Sequence, residues 1–96
     1  MIVASCRITL YLDEARSLKE KRRVAKGLSQ RLRERYNVSV AEVDAETRDL
    51  WQKAVLGVAL VAPGLGEAET RLDRVLRDVE EWSGVKHVEF EPAYHG

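Results

Sequence analysis

Residues 2–37 read IVASCRITLYLDEARSLKEKRRVAKGLSQRLRERYN, and within them the apolar period changes from two to about 3.6. From Ile2 to Leu12 the chain alternates. Ile2, Ala4, Cys6, Ile8, Leu10 and Leu12 share one face; Val3, Ser5, Arg7, Thr9 and Tyr11 share the other. Side chains that point up and down in turn belong to a strand. The polar run 13–17 interrupts that pattern. Beyond it, Leu18, Ala25, Leu28, Leu32 and Tyr36 fall on one stripe of a helix, with Val24 at its edge. Ser17 and Glu20 form a capping box, each side chain taking a backbone N–H that the first turn leaves without a partner. Asn37 suits the left-handed conformation that closes a helix. The spacing predicts a strand over 2–12 and a helix over 17–36.

Downstream, VSVAEV (38–43) reads as a short strand and DAETRD (44–49) as a polar connection. A third strand takes much of 50–62, where AVLGVALVA is dense in strand formers and small residues. PGLG (63–66) punctuates the chain. Ala68, Leu72, Val75, Leu76, Val79 and Trp82 then recur at helical spacing, predicting a second helix over 66–83, with Trp82 as a core residue. Ser83 and Gly84 end it, and VKHVEFEP (85–92) is the last strand, leaving His95 in a tail. The order is β-α-β-β-α-β. It predicts an α+β, ferredoxin-like domain over residues 1–96, a four-stranded antiparallel sheet with two helices on one face and the other face open.

Ninety-six residues, 45% hydrophobic and 33% charged, suit one globular core. Cys6 is the only cysteine, which excludes a disulfide framework or a multi-thiolate metal site and favours a reducing cytoplasm. The first residues lack a basic leader region, Arg7 breaks their apolar run, and no stretch approaches the ~20 apolar residues of a membrane span. The expectation is a cytoplasmic protein with no membrane partner.

The chain is neutral in total, yet residues 17–37 hold eight Lys or Arg against two Glu, a net charge of +6. The predicted second helix has six acidic residues against three basic, a net of −3. Lys19, Arg22, Arg23, Lys26 and Arg33 gather on one side of the first helix, away from its apolar stripe. They are candidate phosphate contacts for a polyanion such as RNA or the ribosome. The same five are also what an ordinary solvated face looks like, or a face covered by acidic groups of the second helix or another subunit. Lys21 falls near the apolar stripe, where its stem is expected to snorkel past the core edge. A lysine holding an anion there is the other reading, which Asp13 and Glu14 would oppose.

On the open sheet face, strand parity places Arg7 and Tyr11 beside Trp51 and Lys53. The first and third strands are expected to be central antiparallel neighbours, bringing Tyr11 near Trp51. Two aromatics beside two cations look like a platform for stacked bases. The RNA-recognition signature K/R-G-F/Y-G/A-F-V-x-F/Y is absent, however, since WQKAVLGV does not match it. The small set Val55, Gly57, Ala59 and Val61 suggests instead that another sheet or chain covers this face, in a packed core or a homodimer. The competing expectation is a homo-oligomeric regulatory or interaction module with a small ligand or protein partner at the subunit seam.

Catalytic signals are missing. His87 and His95 are the only histidines, and Cys6 points toward the core. No H-x₃-H or C-x₂-C spacing offers a metal site, and PGLG is not followed by G-K-[ST]. The acidic pairs Asp13/Glu14, Glu80/Glu81 and Glu89/Glu91 read as surface charge. The expectation is a non-enzymatic protein without metal or cofactor.

Taken together, MIV at the start, RSLKEKRRVAKGL, RLRERYNVSVAEV and DLWQKAVLGVALV resemble the YlxP-like family of small uncharacterised bacterial proteins. The resemblance runs along nearly the whole chain and is weakest over the last strand. It implies a ferredoxin-like fold and a cytoplasmic location. Members are often encoded near genes for transcription and translation factors, including a ribosome-binding factor, which implies an association with RNA or the ribosome. It carries no catalytic residue set.

Overall fold

The computed structural model describes residues 1–43, 45–47 and 50–96. Its elements are β1 (Ile2–Tyr11), α1 (Leu18–Tyr36), β2 (Ser39–Glu42), a 3-10 turn (Ala45–Thr47), β3 (Lys53–Ala62), α2 (Leu65–Glu81) and β4 (His87–His95). The strands lie in the order β2-β3-β1-β4, every neighbouring pair antiparallel. This is the ferredoxin-like arrangement. α1 lies over β2 and β3, and α2 over β1, β3 and β4.

Alternation in β1 decides which face is covered. Ala4, Cys6, Ile8 and Leu10 are buried under the helices, opposite Leu60, Val58, Leu56 and Ala54 of β3. Leu28 and Leu32 of α1 and Leu72, Val75 and Val79 of α2 close the core from above. Burying a leucine or valine side chain contributes roughly 1.5–3 kcal/mol, so these facing rows hold the layers together.

α1 starts where the capping pattern places it. Ser17 has extended backbone, and its hydroxyl accepts from the N–H of Glu20 at 3.2 Å. The Glu20 carboxylate takes the N–H of Arg16 at 2.6 Å, one residue ahead of the cap. Asn37 ends the helix with φ of 50°. α2 ends one step before a tight turn in which Val85 N–H donates to Trp82 carbonyl at 3.1 Å. Gly84, third in that turn, has φ of 94°, which side chains disfavour.

Several boundaries differ from the sequence pattern. β3 begins at Lys53, because Trp51 and Gln52 form a bend ahead of it. β4 runs on through His95, which pairs with Val3, so the predicted tail is strand. The polar connection contains the 3-10 turn; Asp44, Arg48 and Asp49 lie outside the described residues. Trp82 sits half-buried at the core rim. Its ring comes within 3.4 Å of where a β-carbon on Gly27 would stand, so the two helices meet at a glycine.

Candidate functional site

The five candidate cations of α1 separate into two groups. Lys19, Arg22, Arg23 and Lys26 are exposed, and none makes a hydrogen bond or ion pair with a described residue. They are mutual neighbours at i+3 and i+4, so they form one compact patch with Cβ atoms roughly 5–6 Å apart along its sides. Arg23 shares a small hollow with Glu14 and Glu20, which leaves Lys19, Arg22 and Lys26 the barest of the four.

Arg33 is different. Its guanidinium donates to the carbonyl of Val40 at 2.6 Å. Val43 N–H donates to Val55 carbonyl, so in the alternating antiparallel ladder residues 39 and 41 bond β3 while Val40 faces outward. Arg33 therefore occupies an acceptor on the free edge of β2, and edge acceptors otherwise invite pairing with another chain.

Other basic groups of α1 are absorbed by α2. Arg31 Nε and an Arg35 guanidinium nitrogen lie 3.8 Å and 3.6 Å from Asp78 Oδ2. Tyr36 hydroxyl donates to the same oxygen at 2.8 Å. Partial burial, followed by that carboxylate, holds the Tyr36 phenol above its ordinary pKa. Arg71 of α2 donates to the carbonyls of Val61, Tyr36 and Asn37, tying the end of β3 to the end of α1.

Lys21 does not snorkel. It is 1% exposed, and its ammonium donates to the carbonyl of Thr47, with Glu42 Oε1 at 3.8 Å. The reason is positional. At 300° on a wheel starting from Leu18, Lys21 falls between the directions of Leu28 and Leu32, under the helix, so its stem has no route to water. The 3-10 turn closes over its end and supplies the acceptor. The lone cation within an apolar stripe was the signal for this clamp.

The open face is arranged otherwise than the base-platform reading requires. Tyr11 is opposite Lys53 on one side and His87 on the other. Its hydroxyl donates to Glu89 at 3.1 Å, its ring lies 5.5 Å from that of His87, and Lys53 Nζ stands 5.7 Å from its centroid. Desolvation and the Glu89 carboxylate raise its pKa. Trp51 precedes β3, so Tyr11 meets His87 where the strand pattern expects Trp51. Arg7 is opposite Glu91 and Gly57. Val55 is buried although its parity puts it on this face, next to Val43, which extends the sheet surface one residue past β2. A shallow, mostly apolar depression of about 460 Å³ lies among Ser5, Arg7, Ala41, Val43, Gly57 and Ala59. Val43 leans so far over Gly57 that a β-carbon there would stand 2.7 Å from Val43 Cγ1.

Cys6 is buried, and burial pushes its thiol up to about 12, leaving it a poor nucleophile. Among the described residues, no cluster of three or more His, Cys, Asp or Glu could hold a metal. No helix among them is long and apolar enough to cross a membrane.

The comparisons bear on the fold and on the family. The de novo designed protein Foldit4 superposes with a TM-score of 0.56, covering 99% of this chain and 96% of its own; at 22% identity that likeness concerns the fold alone. The uncharacterized protein YlxP of Bacillus subtilis (strain 168) is 34% identical over 83 residues, 86% of each chain. The family model described as protein of unknown function (DUF503) matches residues 3–92. With that match spanning both helices, β2 and β3 and most of β1 and β4, the chain belongs to the YlxP-like DUF503 family.

Proposed function

We propose that this protein is a non-enzymatic RNA-binding module that associates with RNA or the ribosome through the first half of α1. One observation carries the reading: Lys19, Arg22, Arg23 and Lys26 form an exposed patch that no described carboxylate neutralises. Like charges at i+3 and i+4 each destabilise a helix by roughly 0.2–0.5 kcal/mol, so four such pairs cost about 1–2 kcal/mol. An external row of phosphates offsets that repulsion and releases counterions. The carboxylates ion-paired to α1, Asp78 and Glu42, engage Arg31, Arg35 and Lys21, none of them in the patch, and Glu14 and Glu20 only line the hollow beside Arg23.

Ribosome co-sedimentation over a salt series tests this. Four phosphate contacts predict a slope near −3 in log affinity against log salt, or about 60-fold weaker binding over a fourfold rise in salt. Lys19→Glu, Arg22→Glu and Lys26→Glu together should abolish binding while leaving the circular dichroism spectrum unchanged. Binding that survives the triple reversal refutes the reading.

A second copy on the open sheet face is the other reading, favoured by Val3 and Val61. These cross-strand partners are both exposed there, at 37% and 58%. Arg7, Lys53, Glu89 and Glu91 give the face both signs of charge, which suits self-pairing better than a polyanion. Sedimentation equilibrium decides it: a Val61→Lys variant should shift a dimer to monomer, and a wild-type monomer at about 100 μM excludes this interface.

A further inference from the structure

A hollow of about 450 Å³ opens where the last turn of α1 meets the first turns of α2, among Arg35, Tyr36, Glu67, Thr70, Arg71 and Arg74. Glu67, Arg71 and Arg74 follow one another at four and three positions, so a single face of α2 supplies all three. The Thr70 hydroxyl donates to the Gly66 carbonyl at 3.0 Å, which leaves the arginines as the charged donors of the hollow. Arg35 lies 16 positions from Lys19, about 24 Å along α1, so the hollow is separate from the exposed patch at the start of that helix.

Little carboxylate charge answers these arginines. Arg74 is exposed, and its guanidinium makes no hydrogen bond or ion pair with a described residue. Arg71 spends at most three of its five N–H groups, all on carbonyls, which leave its charge uncancelled. Two of those carbonyls, of Tyr36 and Asn37, lie at the negative end of α1, so Arg71 also covers the groups there that would repel an anion. Arg35 stands 3.6 Å from Asp78 Oδ2, beyond the roughly 2.7–2.9 Å of a charge-assisted hydrogen bond. The same oxygen also serves Arg31 and the Tyr36 hydroxyl. Among the described residues of the lining Glu67 is the one carboxylate, and it pairs with none of the three arginines although Arg71 is four positions on. The positive end of α2 accounts for an acidic residue in its first turn.

We propose that this hollow binds a small phosphate monoester, its phosphate held by Arg35, Arg71 and Arg74. A monoester is close to a dianion at neutral pH and presents three terminal oxygens, one for each guanidinium. A phosphodiester of an RNA backbone has one charge and two such oxygens, and a carboxylate is planar with two. The volume falls within the roughly 300–1,000 Å³ of small-ligand sites, which leaves room for the group that carries the phosphate. The site stands independently of RNA binding, because it shares no residue with Lys19, Arg22, Arg23 and Lys26.

The backbone amide NMR signals of Gly66, Thr70 and Arg74 report on the hollow during titration in phosphate-free, low-salt buffer. Glycerol 3-phosphate should shift them saturably, and equal concentrations of acetate or of the diester UpU should not. Arg35→Ala and Arg74→Ala remove exposed side chains and should each weaken glycerol 3-phosphate binding by roughly 10- to 150-fold with the circular dichroism spectrum unchanged. Glu67→Gln should tighten it, a gain that a merely structural role for Glu67 would not give. The absence of a saturable shift up to about 10 mM glycerol 3-phosphate overturns the proposal. So does equal binding by wild type, Arg35→Ala and Arg74→Ala. UpU binding as tightly as the monoester overturns it in favour of an RNA backbone, and equal binding of acetate overturns it in favour of a carboxylate.

Discussion

The buried ammonium of Lys21 donates to the backbone carbonyl of Thr47, joining the first turn of α1 to the 3-10 turn that precedes β3. A buried ammonium is tolerated only when its donors are engaged, and here one peptide carbonyl and the nearby Glu42 carboxylate engage it. Lys21→Met keeps the aliphatic bulk and removes the charge-assisted bond, so it should lower unfolding free energy by about 1–3 kcal/mol in urea titration. Lys21→Ala should cost more, because it also opens a cavity under the helix. A Lys21→Met protein as stable as wild type would show that the clamp adds nothing beyond packing.

Arg33 and Arg22 carry the same charge on the same flank but should respond differently to removal. Arg22→Ala is expected to weaken RNA binding by one phosphate contact, reducing the salt slope by about 0.7–0.9, with stability nearly unchanged. Arg33→Ala frees the Val40 carbonyl on the β2 edge and should destabilise by about 1–2 kcal/mol while raising the tendency to self-associate. Thermal melts and light scattering on the two variants separate these effects.

Cys6 should resist alkylation in the folded state. A thiol at about 12 is about a thousandfold less ionised near pH 8 than one at its ordinary 9.0, and it is buried besides. Iodoacetamide labelling should therefore follow unfolding. The same shift sets an alkaline limit. Between about 9 and 12 the unfolded chain releases the thiol proton while the folded chain keeps it, so stability falls by roughly 1 kcal/mol per pH unit as pH rises. Cys6→Ala should flatten that part of the stability curve.

Gly84→Ala should destabilise by about 1–2 kcal/mol. Its φ of 94° disfavours any side chain, and a β-carbon would stand 3.0 Å from Val24 Cγ2, pressing on the rim of α1. Gly66→Ala, with open space at its β-carbon position near the start of α2, is the control and should be neutral or slightly stabilising. Urea titrations of the pair measure the difference.

Local patterning was enough to read the elements and their order. The two-residue period of Ile2–Leu12, the Ser17 cap, the 3.6-residue stripe to Tyr36 and the apolar spacing from Ala68 to Val79 are properties of neighbouring residues, and each appears in the structure. The ends of β3 and β4 were not legible, because strand length depends on the partner. Tyr11 pairs with Lys53, which starts β3 there, and Val3 pairs with His95, which carries β4 nearly to the terminus.

The candidate site divides along the same line. That positive charge collects on one side of α1 follows from helical geometry applied to the sequence. Which charges stay bare is a matter of what lies within 4 Å in space: Asp78 and Thr47 are remote in sequence from the Arg and Lys they engage, and Val40 meets Arg33 only because the chain turns back after α1. The sequence by itself therefore determined the layers, the cap and the basic face. Tertiary structure alone decided that Lys21 is interior, that Arg33 guards an edge, that Tyr11 belongs to His87 and Glu89, and that Trp51 falls in a bend ahead of β3. Periodicity is written into adjacent residues; pairing is settled only when distant segments meet.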